Sequence, residues 1–181
     1  MTGPENGPGI ARTAPTPGLA RRLACFLYEG VLLFGVLTVA GLVYGVSTQQ
    51  RHALVGSAGL QAVLLVVLAS YFVYFWSLRG QTLAMQTWHI RLVTLQGAPV
   101  TRLRALCRFA LAWLWFAPAL AMVHYSGLTG SWATFGAIAF GVLAYAGLAR
   151  FHPDRQYWHD AVCQTRLITW RPIPVSDSPR P

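Results

Sequence analysis

Glu29 is a carboxylate inside an apolar run. The stretch from Arg21 to Gly45 reads RRLACFLYEGVLLFGVLTVAGLVYG, and the acid stands seven residues beyond Arg22. On a helix, Glu29 lies about 9 Å along the axis past Leu23, within hydrocarbon if the run spans a bilayer. An unpaired carboxylate there costs several kcal/mol or takes up a proton. Such an acid is paired, functional or both. Three readings follow: an ion pair that fixes helix register, titration during transport of a proton or cation, or solvation by a water-filled vestibule. The natural partner is Arg108, which opens a later apolar run. A guanidinium can bind a carboxylate through two hydrogen bonds. Arg22 stands one heptad before Glu29, roughly on the same helix face. The expectation is a Glu29–Arg108 pair with Arg22 at the interface beside it.

Other residues offer less chemistry. His152, Asp154, His159 and Asp160 put nitrogen and oxygen ligands in one short segment. Their spacing matches no HExxH-type zinc pattern, and interface residues are the commoner reading, so no metal is expected. Ser70 and Ser77 have no evident base nearby. No Walker, GxGxxG or GxSxG sequence occurs, so neither an enzyme nor a cofactor is expected. Cys25, Cys107 and Cys163 lie far apart without a CxxC pair and read as reduced, inert thiols.

The elements that position these residues are set by apolar runs. Of 181 residues, 55 % are hydrophobic and 10 % charged, against about 25 % charged in soluble domains. Runs of 18 or more uncharged residues point to membrane helices. The first covers about 23–46 and the second 53–78. The 41 residues between Arg108 and Arg150 contain no Arg, Asp or Glu. They fit two further helices, about 105–125 and 131–149, joined at His124 to Gly130. The expected architecture is an all-α, four-helix transmembrane bundle over 21–170. Residues 1–20, rich in Pro, Gly and Thr, read as a disordered tail, and 171–181 as a flexible end.

The net charge is +9, and every basic residue is Arg. Nucleic acid can attract such a chain, but these arginines lie between apolar runs and report topology instead. With the N-terminus inside, 13 of the 14 arginines are cytoplasmic and only Arg51 lies outside. That asymmetry predicts cytoplasmic N- and C-termini. The arginine rim predicts attraction to anionic lipid.

On the cytoplasmic side, WHIRL alternates apolar Trp88, Ile90 and Leu92 with His89 and Arg91, as a half-buried strand does. Gly97 and Pro99 turn the chain, and Thr101 is positioned to cap the next helix. QTRLIT repeats the pattern of HIRLVT, so the two segments predict a small two-stranded sheet.

RRLACFLYE, RGQTLAMQTWHIRLVTLQGAPVTRLRALCR and QYWHDAVCQTRLIT together resemble the RDD family of bacterial membrane proteins. The resemblance covers about residues 21–170. It assigns the family's named Arg to Arg22, its first Asp to Glu29 and its second Asp to Asp160. The family's usual Gly and Lys after the motif Thr are replaced here by Leu83-Ala84-Met85-Gln86. The resemblance implies a multi-pass protein of the bacterial inner membrane, with transport suggested for some members, including sodium–proton exchange. Arg22, Glu29, Arg108 and Asp160 are then expected to form one polar network at the cytoplasmic face. Transport of an ion or small solute by a homo-oligomer is one functional reading. A non-catalytic scaffold or accessory subunit that docks a partner or anionic lipid is the alternative.

Overall fold

A computed structural model describes residues 14–49, 57–113, 116–126, 131–148 and 156–170. Five longer helices are seen: α1 (Leu19–Thr48), α2 (Ser57–Leu78), α4 (Arg102–Ala112), α5 (Ala117–Ser126) and α6 (Ser131–Leu148). Two five-residue helices, α3 (Leu83–Thr87) and α7 (Trp158–Val162), precede the strands β1 (Ile90–Thr94) and β2 (Thr165–Thr169). Two helices, Leu19–Thr48 and Ala58–Leu78, are long and apolar enough to cross a membrane. Their outward faces stay apolar: Leu27, Val31, Val46 and Val66 are all more than 60 % exposed. Exposed apolar faces of this extent are built for lipid rather than water.

The helix expected over 105–125 is in fact two, α4 and α5. Pro118, in the first turn of α5, has no backbone N–H to continue a helix from the preceding turn. Thr101 caps α4 as its sequence predicts, accepting the Arg104 N–H at 3.4 Å. Thr82 caps α3 in the same way, accepting the Met85 N–H at 3.3 Å.

β1 and β2 pair antiparallel, with Ile90 opposite Thr169, Leu92 opposite Leu167 and Thr94 opposite Thr165. Period-two alternation sends Ile90, Leu92 and Leu167 into the main core with Trp76, Met85 and Phe109. Val93 and Ile168 face the other way and are covered by Ala14 and Trp170. Gly97, at φ 81°, makes the expected turn after β1.

Residues 14–20, within the stretch whose composition reads as a disordered tail, have defined partners. Thr169 N–H donates to Pro15 O at 2.9 Å, and the Gln156 amide donates to Thr16 Oγ1 at 3.1 Å. The sheet edge satisfies this segment's polar groups, which composition does not register. Residues 1–13 and 171–181 lie outside the described residues.

The two helix–turn–strand units are copies of one design, 75 positions apart: Leu83 and Trp158 begin the helices, Ile90 and Thr165 the strands. His89 and Gln164, each the residue before its strand, both have φ 52°. Gln81 and Gln156, each two residues before its helix, donate to the backbone carbonyls of Ile90 (2.7 Å) and Leu167 (3.4 Å).

Candidate functional site

Arg22, Glu29, Arg108 and Asp160 all lie at the sheet end of the bundle. The first three are 6–7 % exposed, and Asp160 is fully buried. They divide into three local arrangements rather than a single chain of contacts.

The first centres on Glu29. The Tyr71 hydroxyl, from α2, donates to its Oε1 at 2.7 Å. The Thr82 hydroxyl donates to its Oε2 while accepting the Met85 N–H. Capping α3 therefore leaves the Thr82 proton aimed at the acid.

The second is an ion pair. Arg108 Nε donates to Asp160 Oδ1 at 2.7 Å, and the same guanidinium lies 4.3 Å over the Trp76 ring. The pair ties α7 to α4 inside the core. Removing either partner leaves the other charge buried alone, at a cost of about 3–5 kcal/mol. Asp160 Oδ1 is also 3.5 Å from His159 Nε2, and His159 Nδ1 is 3.1 Å from the Tyr145 hydroxyl. Tyr145 oxygen accepts the His159 backbone N–H, so its own proton is directed at Nδ1. The carboxylate beside Nε2 favours the tautomer with hydrogen there. Burial pushes the His159 pKa down to about 4, the Asp160 charge opposing and the Arg108 charge adding to the effect.

The third is Arg22, whose guanidinium lies 4.6 Å over the Tyr157 ring. Its Nε and one terminal nitrogen have no hydrogen-bond partner among the described residues. Burial, ahead of every charge nearby, pushes the Tyr157 phenol up to about 12.

The expected Glu29–Arg108 pair is not formed. α1 packs mainly on α2 and α3, whereas α4 packs mainly on α2 and α7. Between α1 and α4 lies a chamber of about 670 Å³. Arg22, Glu29, Arg108 and His159 line its polar end, and Phe26, Leu33, Phe34, Phe72 and Phe116 its apolar walls. Glu29 and Arg108 have each found their partners on their own side of that space.

Sequence reasoning missed Tyr71, Thr82, Trp76 and Tyr157 as members of the site. Thr82 had a signal, as the Thr of the Arg-Gly-x-Thr stretch. Of the segment weighed as a metal site, His159 and Asp160 are adjacent in α7, while His152 and Asp154 lie outside the described residues.

The RDD family profile matches residues 16–164, most of the chain and every element that builds this end of the bundle except β2. The chain belongs to the RDD family. No curated protein and no solved structure shows significant similarity to it. RDD membership and the two long apolar helices make it a membrane protein. Arg22, Glu29 and Asp160, to which the sequence resemblance assigns the family's named Arg and acids, are buried around the polar end of the chamber and the Arg108 ion pair.

Proposed function

We propose that this RDD protein transports an ion or small solute across the bacterial inner membrane, with Glu29 as the group that exchanges a proton for a cation. The observation that carries the reading is the setting of Glu29. It is buried and lines the chamber. Both its oxygens are held by neutral hydroxyls, and among the described residues it has no ion-pair partner. An acid held in this way can change charge without abandoning an ion pair.

On this reading α1, α2, α4 with α5, and α6 make four crossings, with both termini cytoplasmic. The arginine distribution supports that orientation. So does the tie between Pro15 and β2, which holds the start of α1 beside the sheet. Four spans make a thin wall for a pathway, so a second copy completes it.

The alternative, a non-catalytic scaffold, is favoured by a different observation: the Arg108–Asp160 pair and the two-stranded sheet knit this end into one block. Exposed Arg79 and Arg102 at its edge suit a partner or anionic lipid.

Reconstituted vesicles decide between them. With pH- and sodium-sensitive dyes inside, an imposed Na⁺ or K⁺ gradient is expected to drive counterflow of protons in the wild type and not in Glu29→Gln. Equal, leak-level signals from both proteins would leave the scaffold.

A further inference from the structure

The chamber has a shape and a polarity that ion exchange does not explain. Along α1 its lining runs from Arg22 to Leu37, roughly 22 Å at the helical rise. Its volume of about 670 Å³ falls within the roughly 300–1,000 Å³ of small-molecule sites. The walls beyond Glu29 are apolar, and the charged groups gather at one end. A long apolar slot with one charged end matches an amphiphile lying parallel to the helices.

At that end, among the described residues, the cation without an ion-pair partner is Arg22. Arg108 is neutralised by Asp160. Glu29, about 10 Å further along the helix, has both oxygens occupied by hydroxyls of α2 and of the segment leading into α3. Arg22 is different. It is 6 % exposed, and two of its nitrogens have no hydrogen-bond partner among the described residues. Among the described residues no carboxylate pairs with it. A buried donor without an acceptor is destabilising, the more so when it is charged, so this position calls for an anion. Tyr157 covers one face of the guanidinium.

The depth identifies the source of that anion. Arg22 sits in the first turn of α1, where a spanning helix enters the bilayer and lipid phosphates lie. From there the slot runs toward the midplane, as an acyl chain does. We infer that the chamber holds one acyl chain of an anionic phospholipid of the adjacent leaflet, with the lipid phosphate on Arg22. The site is a cleft between α1 and α4 with exposed Phe34 on its wall, and it is distinct from the attraction of lipid to rim arginines.

Two substitutions separate head from tail. Arg22→Gln removes the charge that holds the phosphate. Gly30→Leu fills the slot: Gly30 lines it, and a Cβ added there meets nothing within 4 Å, so the larger side chain enters open space. Leucine is also the better helix former. Arg79→Gln is the rim control.

Delipidated full-length protein is incubated with equal amounts of phosphatidylglycerol and phosphatidylcholine, and the lipid retained is read by native mass spectrometry. The wild type is expected to keep one phosphatidylglycerol per chain, preferred at least about fivefold, as one unpaired arginine near the surface provides. Arg22→Gln is expected to bring the two lipids to parity. Gly30→Leu should retain neither, and Arg79→Gln should behave as wild type. Equal retention of both lipids by the wild type would overturn the inference. So would a Gly30→Leu chain that keeps phosphatidylglycerol, or an Arg79→Gln chain that loses the preference as fully as Arg22→Gln. If Arg22→Gln does not fold, Gly30→Leu decides alone. No ion gradient enters this assay, so its outcome is independent of whether the vesicles show flux.

Discussion

At the scale of single residues, burial chooses which groups are charged. His159 packs beside both the Tyr145 and the Tyr157 ring, with Asp160 and Arg108 near its edge. Its pKa, held down to about 4 from 6.5, makes stability depend on pH in one direction. Above pH 6.5 the imidazole is neutral in both folded and unfolded chains. Below it, only the unfolded chain takes the proton, so stability falls with pH and the loss levels off near pH 4. The full loss is about 3 kcal/mol. Melting curves in detergent at pH 7 and pH 5 should show the wild type losing several degrees. His159→Gln should flatten that difference. Glu29 was legible as the single acid in a long apolar run. Its partners were not, because Tyr71 and Thr82 are neutral and no charge rule points to them. Arg108 was legible as a buried cation in need of a carboxylate. That its carboxylate is Asp160 depends on which side of the chamber α4 packs, and spacing along the chain carries no information about that.

At the scale of elements, the Arg79-Gly80 stretch has a steric reason. Gly80 has φ 67°, and a Cβ there would lie 2.8 Å from the Leu92 carbonyl oxygen, with Arg91 close behind. The approach is needed because Leu92 N–H donates to Gly80 O at 2.7 Å, fastening β1 to the end of α2. Gly80→Ala should therefore cost about 1–3 kcal/mol, read as a lower melting temperature. His89→Gly and Gln164→Gly should do the opposite by up to about 1 kcal/mol, since both positions hold a left-handed backbone that L residues adopt at a cost. The strands themselves were legible from alternation and from the likeness of HIRLVT to QTRLIT. The small helices before them were not, because five residues give too little periodicity to read. The break between α4 and α5 turns on Pro118, whose effect an apolarity count does not register.

At the scale of the whole molecule, the sheet sets a parity rule. α1 begins beside β2 through the Pro15–Thr169 bond, and α2 ends beside β1 through Gly80. β1 and β2 are then joined along their length. On the proposed reading, a chain that starts and ends its first two long helices at one sheet crosses a bilayer twice between them. Accessibility labelling checks this. In a Cys107→Ser background, an impermeant thiol reagent on intact cells should label Gln49→Cys, at the end of α1, and spare Leu95→Cys, beside the sheet. Labelling of both positions, or of Leu95→Cys alone, would contradict it. The same sheet has a further consequence in time. The carboxylate for Arg108 and the strand that pairs β1 are supplied by residues 160 and 165–169, so they leave the ribosome after every long helix has been made. Until they arrive, the nascent protein carries a buried cation without a counterion and a bare strand edge, each a signal by which a protease could recognise a prematurely ended chain.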